Sequence, residues 1–134
     1  MAAKLPDSVL DLFERPILCA LCTVDAKGRP HVVPVWCDLD GTYVRVNAPV
    51  HTKKVRDIQK NSNVAVLLLD PEQRYHWVEV RGHVAETRDE THGARDHINA
   101  LSMKYNGDPV YKSFRNPNEQ RVMFIIEPDK VNGR

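Results

Sequence analysis

The chain has no apolar run approaching the ~18–20 residues that a helix needs to cross a bilayer. Its opening, MAAKLPDSVLDLFERP, also lacks the long uncharged core of a secretory signal. A cytoplasmic location without membrane contact is the expectation. Charge of one sign is missing as well: 19 Lys and Arg stand against 18 Asp and Glu, a formal net charge of +1. A general nucleic-acid binder is usually far more basic, so no nucleic-acid partner is expected. G-x-S-x-G, the P-loop and G-x-G-x-x-G are all absent, which leaves serine hydrolase, nucleoside triphosphatase and dinucleotide-binding readings without support. No catalytic acid–base pair stands out, and chemistry carried by a cofactor fits that absence.

Cysteine is scarce, with 3 in 134 residues, the odd count of reduced cytosolic thiols. Cys19 and Cys22 form a C-x-x-C, but within ILCALCTV, an apolar run that reads as a strand. Residues three apart on a strand point to opposite faces, so the pair cannot converge on one metal. The six histidines show no metal-ligand spacing, and no metal is expected. Length and the ordinary balance of 42% hydrophobic and 28% charged residues predict one folded domain spanning 1–134.

What is present is a row of strands. A helix is predicted over Asp7–Glu14, with Asp7 as cap and Val9, Leu10, Leu12 and Phe13 as its buried stripe, closed by Pro16. Strands follow at Ile17–Val24, Pro30–Asp38 and Thr42–Asn47, the last two joined by the hairpin signal Asp40-Gly41. A short helix is expected over Thr52–Lys60, then strands at Val64–Leu69 and Tyr75–Glu86. A second helix spans Asp89–Tyr105, with His97 on its apolar side, and Arg121–Glu127 forms the last strand. Hairpin order points to an antiparallel, mainly β protein with a few helices. Ile17–Val24 and Val64–Leu69 are apolar on both faces, so one face lines a barrel interior and the other needs a helix or a second subunit. On Tyr75–Glu86, Tyr75, Trp77, Glu79, Arg81 and His83 share a face that suits either a polar interface or solvent. Asp38 and Asp40 read as turn residues.

The stretch Asn47-Ala48-Pro49-Val50-His51-Thr52-Lys53-Lys54-Val55-Arg56-Asp57-Ile58 is the most informative. Thr52 is a good N-cap, yet the first helical turn holds Lys53 and Lys54, with Arg56 close behind. A helix N-terminus already carries about +0.5 of a charge, so cations there cost stability unless an anion joins them. Phosphate suits the exposed N–H groups, the Thr52 hydroxyl and the two ammonium groups. The alternative is a solvated basic helix, partly offset by Asp57.

The order Gly28-Arg29-Pro30-His31-Val32-Val33-Pro34-Val35-Trp36, Asp40-Gly41, Lys53–Ile58, Val64–Pro71, Trp77–Gly82 and Glu119-Gln120-Arg121-Val122 resembles the pyridoxamine 5'-phosphate oxidase-like flavin and deazaflavin oxidoreductases. Within them it is most similar to the small branch that uses coenzyme F420. The resemblance implies an antiparallel split β-barrel of the FMN-binding type, paired as a homodimer with cofactor sites at the subunit interface. It implies that Val33, Pro34, Val35 and Trp36 line the cofactor ring, with Asn47 and Ala48 near the ring and ribityl chain. Thr52, Lys53 and Lys54 would hold phosphate, with Arg56 as a weaker addition. Trp77 and Glu79 would come from the opposite subunit, and Arg121 approaches the site. Val33 stands where the B6 oxidases tend to carry Arg, and their substrate-holding C-terminal extension is missing, which argues against B6 oxidation. The implied activity is hydride transfer between reduced F420 and a small or planar unsaturated substrate. FMN is the alternative cofactor, and a non-enzymatic binder of flavin, deazaflavin or tetrapyrrole is the alternative class.

Overall fold

Two strands at opposite margins of one sheet are separated by a single residue, and this dictates the architecture. The structure, a computed structural model, describes residues 2–134. Its strands are β1 (Cys19–Val24), β2 (Pro30–Val35), β3 (Cys37–Asp40), β4 (Tyr43–Pro49), β5 (Asn63–Leu69), β6 (Trp77–Arg88) and β7 (Arg121–Gly133). They form one sheet in the order β2-β1-β5-β6-β7-β4-β3, antiparallel at every pairing. Only Trp36 stands between Val35, the end of β2, and Cys37, the start of β3. The sheet must therefore curl until its two margins meet at Trp36. The result is the expected mainly β, antiparallel split barrel.

That closure corrects one expectation. Pro30–Asp38 is not one strand, because the chain leaves one margin of the sheet at Val35 and joins the other at Cys37. Inside the curl lie Phe13, Leu21, Val44, Val46, Val66, Leu68, Phe124 and Ile126, all almost fully buried. Burying each such side chain stabilises the fold by roughly 1.5–3 kcal/mol before chain entropy is counted. The period-2 alternation is visible in β1, where Cys19, Leu21 and Thr23 are buried and Ala20, Cys22 and Val24 only half so. Cys19 and Cys22 thus occupy opposite faces. Cys19 instead lies beside Cys37, and the Cys37 thiol, together with burial, pushes its own thiol up.

Among the described residues three α-helices accompany the sheet: α1 (Leu10–Glu14), α2 (Lys53–Lys60) and α3 (Ala94–Asn106). A 3₁₀ turn, Asp7–Val9, precedes α1, and Asp7 sits inside that turn without capping it. A second 3₁₀ turn, Glu90–His92, precedes α3 and is capped by Asp89, whose carboxylate accepts from the N–H groups of Thr91 and His92. Gly93, at φ +125°, breaks the expected helix between the two, because its left-handed backbone cannot continue a right-handed turn. No helix among the described residues is long and apolar enough to cross a membrane.

β6 and β7 are longer than their apolar stretches and pair along almost their whole length. Their register slips between Arg81 and Gly82, where Pro128 enters β7 without an N–H to donate. Gly82 is required there, since a Cβ would run into the Glu127 carbonyl oxygen.

Candidate functional site

A cleft of about 350 Å³ opens at the split in the barrel. Its apolar wall is Leu18, Pro34, Val35 and Trp36, together with Pro49 at the end of β4 and Ile98 of α3. The indole of Trp36 is fixed by the aromatic rings around it. Tyr105 stacks on it at 5.0 Å with 9° between planes, and Tyr111 meets it edge-on at 5.9 Å. The Tyr105 hydroxyl in turn donates to the Ile17 carbonyl at 2.7 Å and accepts from the Cys37 N–H at 3.2 Å. The residues flanking the split are therefore tied to α3.

The opposite wall is cationic. Lys54, Arg115 and Arg121 line it, with Thr52, His51, Asn47 and Glu119 between them. Burial lowers the Lys54 ammonium below its ordinary value, and the charges of Arg121 and Arg115 lower it further. No carboxylate lies within 4.0 Å of Lys54 among the described residues. It is a half-buried cation held against two others, an arrangement that an anion would relieve. Arg121 is 6% exposed. Its Nε donates to Asn47 Oδ1 at 2.8 Å, its NH1 to Glu119 Oε2 at 3.0 Å, and its guanidinium lies 5.1 Å from the centre of the Tyr111 ring.

Lys53 and Lys54 do not act together. The Lys53 ammonium donates to both carboxylate oxygens of buried Asp57, at 3.0 and 3.2 Å, one turn along α2. Burial alone would raise the Asp57 carboxyl, but Lys53 and the Thr23 hydroxyl outweigh it and hold it low. Thr52 occupies the N-cap position of α2, but its hydroxyl donates to the Pro49 carbonyl at 2.9 Å rather than capping the helix. Arg56 turns back to donate to the His51 carbonyl at 2.7 Å.

The remaining predicted residues divide in the same way. Pro34, Val35, Trp36, Asn47 and Arg121 meet at the cleft, whereas Val33 packs against the core and Ala48 is sealed within it. Trp77 and Glu79 lie elsewhere. They edge an apolar groove of about 510 Å³ on the outside of the sheet, with Ala20, Cys22, Val32 and Leu67. Exposure of 60% for Leu18, 60% for Val32 and 53% for Leu69 marks this outer face as uncovered within one chain.

Sequence reading missed Tyr111 and Arg115, which sit in the Asn- and Pro-containing segment with no periodicity to betray them. It also missed His97 and Asp38 as polar partners. Asp38 is no turn residue: Arg45 clamps it from Nε at 2.9 Å and NH2 at 2.8 Å, and His97 Nε2 lies 3.0 Å away. Burial works against the Asp38 charge, but these bonds outweigh it and hold the carboxyl low. His83, Glu127 and Asp129 also gather across β6 and β7, a grouping that residue spacing could not reveal.

Residues 5–134 match the pyridoxamine 5'-phosphate oxidase family. The chain belongs to that family. No curated protein sequence matches it. A solved F420 reductase shares the family fold at a TM-score of 0.83 and 28% identity, covering 97% of this chain and 100% of that one. HupZ from group A Streptococcus aligns at 0.66 and 21%, covering 96% and 93%. General stress protein 26 from Bacillus anthracis aligns at 0.65 and 21%, covering 93% and 89%. The latter pair carry the fold alone.

Proposed function

We propose that this family member is a cytoplasmic F420-dependent oxidoreductase that moves a hydride between reduced F420 and a small or planar unsaturated substrate. The observation that carries the reading is Lys54: a half-buried ammonium without a carboxylate partner among the described residues, beside Arg121 and Arg115, across a cleft from the Trp36 wall. The spacing of charge and apolar surface suits a molecule with a flat ring at one end and a phosphate at the other. The likeness to an F420 reductase supports the choice of ring.

The bound deazaflavin would supply the hydride-carrying carbon. Lys54 and Arg121 would hold the phosphate, with Thr52 and the first N–H groups of α2 at its side. Pro34, Val35 and Trp36 would keep water from one face of the ring, and the tie from Tyr105 to Ile17 and Cys37 would keep that wall in place. Asn47 would fix Arg121 rather than touch the ring. Lys53 is engaged by Asp57, so it would contribute only field.

The outer face supports a second element of the reading, a homodimer. Apolar side chains at Leu18, Val32 and Leu69 would be covered by a partner copy, and Trp77 and Glu79 would there complete the partner's cleft. The deciding experiment is side-by-side fluorescence titration with F420 and FMN, followed by steady-state turnover with a panel of unsaturated acceptors. Tighter F420 binding with turnover is expected. Equal or tighter FMN binding would overturn the cofactor assignment, and tight binding without turnover would make the protein a carrier.

A further inference from the structure

A line of buried polar groups runs behind the cationic wall, and the donors in it permit only one arrangement. Arg121 Nε can only donate, so the Asn47 atom 2.8 Å from it must be the amide oxygen. The Ala94 carbonyl can only accept, so the Asn47 atom 2.9 Å from it must be the amide nitrogen. These constraints come from opposite ends of one amide and agree. The same nitrogen lies 3.2 Å from His97 Nδ1, which must then be an acceptor, so the imidazole proton sits on Nε2. Nε2 donates that proton to Asp38 Oδ1 at 3.0 Å, and Asp38 is held by the Arg45 fork.

The consequence reaches the cleft. With Nε committed to Asn47, NH1 to Glu119 and its face against Tyr111, the Arg121 guanidinium has one orientation. Its NH2 group has no acceptor among the described residues, and Arg121 lines the cleft beside Lys54. His97 is 3% exposed and does not itself line the cleft; it reaches the wall only through Asn47.

We infer that His97 is a positioning residue for anion capture: through Asn47 it holds Arg121 in the orientation that offers its free NH2 group to a phosphate. This rests on the reading of the cleft as a phosphate-bearing cofactor site. An arginine fixed beforehand loses less freedom on binding than one that must be gathered from solvent, so the effect belongs to the phosphate and not to the ring.

The test compares ligands that differ at the phosphate: FMN against riboflavin, and F420 against its ribityl deazaflavin stripped of phosphate and tail. In His97→Leu, affinity for the phosphate-bearing member should fall by about fivefold to tenfold while the phosphate-free member is unchanged. His97→Gln, which restores one acceptor and one donor, should recover most of that preference. Should His97→Leu fail to fold, Arg45→Met loosens the same line from its outer end and should lower the ratio by about twofold. Imidazole nitrogen NMR of the unliganded protein should place the His97 proton on Nε2. A wild type with no preference for phosphate overturns the reading of the cleft, and this inference with it. A wild-type preference that persists in His97→Leu, an equal loss for both ligand members, or a proton on Nδ1 overturns this inference alone.

Discussion

The cleft side and the outer side of the same sheet are held by different forces. Behind the cleft wall, Arg45, Asp38, His97, Asn47, Arg121 and Glu119 form an unbroken line of directional bonds. The outer face of β2, β1 and β5 offers Val32, Ala20, Cys22 and Leu67, which have only area to contribute. Directional bonds fix one geometry and are costly to interrupt, whereas apolar area accepts any well-shaped partner. The rigid side suits a ligand with a defined charge, and the adaptable side suits a second chain.

The contrast can be broken most severely at Arg121. Arg121→Met leaves Glu119 and Asn47 buried without their partner, and should cost about 3–5 kcal/mol of stability in urea unfolding, with loss of phosphate-dependent binding. Lys54→Ala should weaken cofactor binding by about 2 kcal/mol, roughly thirtyfold, at an almost unchanged melting temperature, because Lys54 pairs with no carboxylate among the described residues. On the other face, Val32→Arg should raise the dissociation constant of the proposed dimer by at least about tenfold in sedimentation equilibrium, leaving cleft residues in place. Lys53→Ala should barely affect cofactor affinity, and should cost about 0.5 kcal/mol through loss of the exposed end of its pair with Asp57.

Titration of Lys54 sharpens the same comparison. Its folded value lies below the ordinary 10.5, so the free protein binds fewer protons than its unfolded chain between those values. Stability of the unliganded protein should therefore rise with pH across that window. Affinity for an anion should fall over the same window, as the ammonium loses its charge. Lys54→Arg keeps the charge and should remove both trends, measurable by denaturation and by titration at stepped pH.

Much of the fold was legible because its signals are local. Asp40-Gly41 gives the β3–β4 hairpin, and the doubly apolar runs of β1 and β5 show that one face of each lines the barrel interior. The break at Trp36 was not legible, since Pro34-Val35-Trp36-Cys37-Asp38 reads as continuous extended chain and only closure of the whole sheet interrupts it. At the site, the cationic first turn of α2 was visible but the two lysines were not separable by composition. Geometry separates them: adjacent residues on a helix diverge by about 100°, and Asp57 four residues on claims Lys53. That i, i+4 relation was present in the sequence and could have been used. The bonds joining Asn47 to His97 and His97 to Asp38 span 50 and 59 positions and leave no local trace.

Gly82 gives the molecule a sensitivity far from any ligand. The Glu127 carbonyl occupies the space a side chain would need, so a methyl group there would force the paired strands β6 and β7 to shift against each other. The same strand begins at Arg121, so a disturbance on this flank of the barrel should be felt as weaker binding at the proposed phosphate site.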